Sequence, residues 1–497
     1  MKKKLLYLGV VIIAFALSVL ASMYGKKDNF RYHQHLEKKP ATQCAQDIHS
    51  INEKFCTHLP IVSINTNNQT IPGEPMLNED KNLIGYTTTD NGETTIVANV
   101  KIIDNEENNH MDDAASIESQ IRLRIRGNTS RHFDKKSYKL NFIDKSGLDR
   151  NVEVMGMASH DEWALHGPFL DKTMIRNYLS MNISANIMNF TPNVRFCEVF
   201  LDGEYIGLYL MMETIDVGHN RINITEYTEG KRGYGYVLKL DREAEEGSLE
   251  AINQFSKYTL MTEYKRNFSI EYPKLSMLNY EINKDIERDI SKFEKALYSY
   301  DFNDKRKGYS AYIDVDSFVD YYILMEFLCV SDMMSFSTYM YKDVNRKLTM
   351  GPLWDFNNAL NNFINIDFDG KDMYFTNRIW YKMLLKDKAF VDKVVNRYHT
   401  LRKTYLSEDY LLNYIDETVS YLGKAVDRNY QVWGYSFDYT KLDSFQRLRP
   451  YERNIKTYEE SIEQMKNFIK IRGRWMDENI DTLYQYSHES KNKMFIQ

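Results

Sequence analysis

Residues 317–358, "SFVDYYILMEFLCVSDMMSFSTYMYKDVNRKLTMGPLWDFNN", decide how this chain is read. From Asp314 the apolar residues Val315, Phe318, Val319, Tyr322, Ile323, Phe327 and Val330 recur at helical spacing and form one stripe. The period breaks at "SDMM". "SFSTYMYKD" and "RKLTMGPLW" then read as a strand pair, and Asp355 comes next, between Trp354 and Phe356. A bare carboxylate is costly to bury among aromatics, so Asp355 either caps a helix through Asn358 and Ala359 or holds a cation. Asp332 ends the preceding helix in the same way. A helix, a loop acid, a hairpin and a second loop acid return both carboxylates to one edge of the hairpin. Such a pair suits a divalent ion on one acid and proton acceptance on the other, the requirements of phosphoryl transfer. Glu326, on the apolar stripe, reads instead as a paired structural acid.

Upstream the pattern is that of strands: "LPIVSIN", "ETTIVANVKIID", "SQIRLRIRG" and "KKSYKLNF" from Leu59 onward. Ile121, Leu123 and Ile125 share one face and Arg122, Arg124 and Arg126 the other, which predicts a half-buried antiparallel sheet. Arg122 and Arg124 read as a solvated face. Arg126 adjoins Gly127, a turn residue whose backbone amides can approach an anion. Lys136 and Lys139 are the candidate phosphate ligands beside it, and Glu213 of "LYLMMETID" is the expected partner of Lys136. Asp171 is expected to cap a helix through "DKTMIRNYLSMNISANIM", and Asp202-Gly203 between alternating apolar residues predicts a hairpin. "YVLKL" adds a strand, a weakly patterned stretch over 243–310 contains one helix, and from Asp314 the spacing is helical. Strands first and helices later make an α+β chain with a β-rich N-terminal lobe and a mainly helical C-terminal lobe.

The 497 residues, 43% hydrophobic and 27% charged with a net charge of −6, describe a globular protein with no field favouring nucleic acid. The 37 tyrosines suit half-buried strands and wet pockets. The start is different in kind. Lys2, Lys3 and Lys4 precede an uncharged apolar run from Leu5 to Tyr24, long enough to span a bilayer, while Val19 and Ala21 also make an acceptable cleavage site. Anchor or signal peptide, either exports the remainder. Residues 1–27 are therefore the membrane segment, 28–59 a polar linker, 60–480 the main domain with its lobes meeting near 240, and 481–497 a tail. Of the 4 cysteines, Cys44 and Cys56 can close a short disulfide loop in an oxidising exterior. Cys197 and Cys329 read as buried thiols, and His33 and His35 have no partners suited to zinc.

The blocks "RGNTS…KKSYKL", "MIRNYLSMNI", "VFLDGEYIGLYLMMETI", "YVLKL", "SFVDYYILMEFLCVSD" and "GPLWDF", in this order, resemble the CotH family of spore-coat protein kinases. The resemblance covers roughly residues 60–480. It implies an atypical protein-kinase-like two-lobed fold that uses ATP with Mg²⁺ or Mn²⁺ and a Ser/Thr-bearing surface or coat protein as acceptor. It also implies Asp332 as the catalytic-loop acid, Asp355 as the metal-binding acid, and the Lys of "KKSYKL" and Glu213 as parts of the nucleotide site. Two departures stand out: Ser335, Ser337 and Thr338 follow Asp332 where the family has an amide, and Asn357 replaces the second acid of "WDFD". Each weakens a hard-cation site. The sequence thus leaves three readings open: a membrane-anchored or secreted kinase, a surface or coat-assembly protein that has lost turnover, and a glycan-modifying hydrolase using the same two acids.

Overall fold

The computed structural model describes residues 31, 33–37 and 55–487, apart from 81, 232, 243–246 and 259–267. The apolar run Leu5–Tyr24 and Cys44 lie outside the described residues. Among those described, no helix is long and apolar enough to cross a membrane. Cys56 is disulfide-bonded, whereas Cys197 and Cys329 are free and buried, as their apolar surroundings in the sequence imply.

Seven strands form a closed barrel: β1 (Ile61–Asn65), β2 (Ile96–Ile103), β3 (Ile117–Arg126), β4 (Ser137–Ile143), β5 (Glu162–His166), β6 (Val194–Leu201) and β7 (Glu204–Glu213). Neighbours run β5-β7-β6-β1-β2-β3-β4 and return to β5. All are antiparallel except β1 beside β6. The expected half-buried sheet therefore curls shut, which removes its exposed edges. Ile121, Leu123 and Ile125 point into the barrel with Leu140, Phe142 and Trp163. Arg122 faces outward and pairs with Asp149 at 2.6 Å. Asp202 and Gly203 join β6 to β7 with φ of 50° and 86°, the geometry a two-residue hairpin of matching twist requires.

Helix α1 (Arg176–Ala185) begins later than expected, and Asp171 is not its cap. The Asp171 carboxylate is instead buried against Arg176, accepting from its backbone N–H and its guanidinium. Beyond the barrel, β8 (Tyr236–Leu240), β9 (Ala251–Ile252), β10 (Phe268–Tyr272), β11 (Thr338–Lys342) and β12 (Thr349–Met350) make a five-stranded sheet in the order β9-β10-β8-β11-β12. The C-terminal half is thus helical around a small sheet. Its helices are α2 (Tyr280–Leu297), α3 (Val315–Leu328), α4 (Lys388–Leu401), α5 (Glu408–Leu422), α6 (Lys424–Trp433) and α7 (Tyr458–Asn479).

Helix α3 is the core of this half. Asp314 caps it by accepting from Ser317, and every residue from Tyr321 to Leu328 is buried, so the expected stripe widens to nearly the whole circumference. Glu326 is structural, in keeping with its place on the stripe: its carboxylate accepts from the Tyr374 and Phe375 backbone at 2.6 and 3.0 Å and from Arg472 at 2.9 Å. The helix ends at Cys329, whose φ of 50° turns the chain toward Asp332. Within the stretch read as linker, Gln34–Glu37 forms a helical turn packed on this fold. The Gln34 amide exchanges two hydrogen bonds with the Phe196 backbone, and His33 and His35 bond to the hydroxyls of Tyr414 and Tyr178.

Barrel and helices are tied by Arg428 of α6, which donates twice to Glu198 of β6, both side chains being almost wholly buried. Removing one partner strands a buried charge. Glu198→Gln is expected to cost about 3–5 kcal/mol, read as a lowered urea midpoint. Glu118→Gln, which breaks the exposed pair with Lys101, is expected to change stability by less than about 1 kcal/mol.

Candidate functional site

A cleft of about 660 Å³ opens between the β3–β4 turn, the end of β8 and the loops after α3 and β12. Asp332 and Asp355 both line it, together with Arg126, Gly127, Asn357 and Asn358. The two acids far apart in the chain therefore converge on one cavity.

Asp355 does not cap a helix. The chain beyond it makes a single turn, Phe356–Asn358, and the Asp355 side chain forms no capping bond to it. Asn177 of α1 takes that task by accepting from the Phe356 N–H at 2.9 Å, which leaves the carboxylate free for the cleft. Asp355 also holds a φ of 69°, a conformation costly for a residue with a side chain and maintained here by its surroundings. Burial first, and then the Asp332 charge, push its carboxyl up to about 6, against the pull of Arg126 and Ser337. Asp332 is also raised, mainly by burial and further by Asp241. Asn358 donates to it at 3.0 Å and, with Arg378 and Arg242, draws it back down. Asn357 donates to Asn358 at 3.0 Å, so a short amide chain ends on Asp332.

Arg126, at the end of β3, lies with its guanidinium carbon 5.3 Å from the centre of the Trp354 ring. Burial disfavours its charge, and Asp355 is the first group that restores it. Next to it Gly127 has a φ of 104°, and a Cβ there would lie 1.9 Å from the Ser130 hydroxyl. Only glycine fits. Arg131 closes the turn from behind, donating to the carbonyls of Gly127 at 2.6 Å and Gly73 at 2.8 Å beneath the Tyr86 ring.

The two lysines sit elsewhere. Lys136 pairs with Glu74 at 2.7 Å and Lys139 with Glu162 at 2.5 Å, and neither lines the cleft. Glu213 is not the partner of Lys136: it is buried against Arg221 at 2.9 Å and accepts from the Asn193 N–H at 2.7 Å. Lys136 precedes β4, which begins at Ser137, and the lysine buried next to it is Lys135, which donates to the Leu208 carbonyl and to Asn429. The cations that line the cleft are Arg126, Lys239, Arg242 and Arg449.

Asp241, Lys239 and Arg242 were not anticipated from the sequence. The signal was there in "YVLKLDR": an acid directly after an apolar strand, the same placement that marks Asp355. Of the three hydroxyls after Asp332, Ser337 lines the cleft, with a φ of 46°. Thr338 donates to the Phe336 carbonyl at 3.1 Å and Ser335 accepts from Arg378 at 3.2 Å.

Among the described residues no group of three or more His, Cys, Asp or Glu side chains is arranged to hold a metal. The oxygen donors present nevertheless fit a hard cation. Asn357 Oδ1 is buried without a hydrogen-bond partner, a cost a cation would remove, and it accompanies two carboxylates in the same cleft.

The chain belongs to the CotH family: the family model described as "CotH kinase protein" matches residues 123–476, from β3 to the last turns of α7. It is also similar to the inner spore coat protein H of Bacillus subtilis (strain 168), at 27% identity over 96 residues. That alignment covers 19% of this chain and 24% of the relative.

The raised carboxyl of Asp355 has a consequence for stability. A folded pKa above the unfolded one means that the native state binds this proton more tightly, so stability from this group is lost as pH rises from the ordinary Asp range through about 6. In the absence of divalent ions, Asp355→Asn is expected to raise stability at pH 7.5 by roughly 1–3 kcal/mol, and the gain to fade as pH falls from 6 to 4. Thermal melts of the two proteins across that range measure it.

Proposed function

We propose that this protein is a kinase of atypical protein-kinase-like fold that transfers the terminal phosphoryl group of ATP to a Ser or Thr hydroxyl of a surface or spore-coat protein. The observation that carries the reading is the meeting of Asp332, Asp355, Arg126 and the Gly127 turn in one cleft. Asp332 takes the hydroxyl proton as the oxygen bonds to the γ-phosphorus and the bond to the ADP oxygen breaks. Burial raises its pKa above the usual aspartate range, the direction that makes its carboxylate a better proton acceptor. Asp355 and Asn357 are the groups that would hold Mg²⁺ or Mn²⁺, which would supply charge neutralisation on the phosphates. Arg126 adds a fixed positive charge beside them, and the Gly127 turn offers backbone close enough for an anion.

The family match supports kinase chemistry, and the name of the Bacillus relative supports a coat or cell-surface setting. Export through the N-terminal apolar segment, as an anchor or a cleaved signal, agrees with that setting. A second reading, an assembly protein that has lost turnover, is favoured by two observations. The lysines expected at the nucleotide are held by Glu74 and Glu162, and Ser335, Ser337 and Thr338 follow Asp332 where an amide was expected.

Calorimetry and phosphate incorporation separate them. A kinase is expected to bind ATP with Mn²⁺ or Mg²⁺ and to label a Ser/Thr-rich acceptor from γ-labelled ATP. Asp332→Ala should lower transfer by roughly 10²–10⁴-fold with ATP binding retained, and Asp355→Ala should abolish the metal dependence of binding. Equal labelling by the parent and both variants would remove the kinase reading, and ATP binding without labelling would establish the second.

A further inference from the structure

We propose that Arg378 is a positioning residue for phosphoryl transfer: it clamps the turn that carries Asp332. The inference rests on Asp332 acting as the proton acceptor. Arg378 donates from Nη2 to the Ser331 carbonyl at 3.0 Å and from Nη1 to the Ser335 hydroxyl at 3.2 Å, so one guanidinium brackets Asp332 on both sides in sequence. Arg378 does not line the cleft. It acts through the loop and touches no substrate.

The turn needs such a clamp. The Ser335 and Phe336 N–H groups both donate to the Asp332 carbonyl at 2.9 Å, which closes the turn on itself. Met334 and Ser337, however, hold φ of 51° and 46°, and such residues persist only where surrounding structure over-determines them. Arg378 supplies that from a rigid base. Its guanidinium carbon sits 5.2 Å from the centre of the Phe375 ring, and the Phe375 N–H is fixed to Glu326. Arg472, wholly buried, ties Glu326 to the carbonyls of Gly370 and Asp372. A continuous path of hydrogen bonds and one cation–π contact therefore runs from α7 through α3 to the turn that carries the acid.

Lysine reproduces the charge but not the planar fork that spans a carbonyl and a hydroxyl at once.

The full chain, carrying Arg378→Ala, Arg378→Lys or Ser335→Ala, tests this by steady-state transfer from ATP, ATP–Mn²⁺ calorimetry and thermal melts. Arg378→Ala is expected to lower kcat by roughly 10- to 100-fold, with the KM for ATP and the calorimetric Kd within a factor of about three, as for a lost positioning contact. Low-millimolar guanidinium, but not equal NaCl, should restore part of kcat. Arg378→Lys should recover less than half of the loss, and Ser335→Ala, which spares the arginine, should show a smaller loss of the same kind. If Arg378→Ala fails to fold, the Lys and Ser335 variants decide. The inference is overturned if kcat equals that of the parent, or if kcat, ATP binding and Tm fall together without a guanidinium response. A parent that transfers no phosphate overturns the functional reading and this inference with it. An active parent beside unaffected variants overturns this inference only.

Discussion

The site turns on one constraint: the Asp355 carboxylate is held among aromatic neighbours, where its charge is disfavoured by burial and by Asp332 and supported chiefly by Arg126. The arrangement is unfavourable for an isolated protein. A cation of the kind proposed for this cleft would offset that electrostatic cost. The backbone repeats the theme. Asp355 and Ser337, which line the cavity, and Met334, in the turn after Asp332, all adopt positive φ, and such strain persists only where the scaffold fixes it.

That scaffold is a set of buried polar connections between elements distant in sequence. Glu326 and Arg472 join α3 to α7, Glu198 and Arg428 join the barrel to α6, and Arg176 donates to the Ala359 carbonyl while pairing with Asp171. Tyrosine serves the same purpose. The hydroxyls of Tyr205, Tyr236, Tyr309 and Tyr398 each donate to a carboxylate, at 2.7 to 2.9 Å, so rings that fill the core also satisfy acids at its margin. The abundance of tyrosine in the composition thus has a local use, as the polar end of apolar packing.

Six of the seven barrel strands, the Asp202-Gly203 hairpin, helix α3 and the β11–β12 pair were legible, because each is written in a local period or a turn dipeptide, whereas β5 (Glu162–His166) was not read as a strand. Also legible was the placement of Asp332 and Asp355 at element ends. Of the basic side of the cleft, only Arg126 was. Lys136 and Lys139 are no less suitable in type than Lys239 or Arg449, and alternation along β4 says nothing about which carboxylate each will meet. Glu74 and Glu162 decide that, and both belong to other segments. Asp171 failed as a helix cap for a related reason: a capping motif and a buried ion pair use the same residue, and only packing distinguishes them.

The order of amino acids by itself determined the class of fold and the two acids on which chemistry would rest, because hydrophobic period, turn chemistry and an acid at the end of an apolar element are properties of neighbours along the chain. The closing of the sheet into a barrel, the choice of Arg126 over the lysines and the arrival of Asp241 beside the other two acids were decided by tertiary structure. Electrostatic partnership acts through space over a few ångströms, and the residues that share this cleft come from positions as far apart as Arg126 and Arg449.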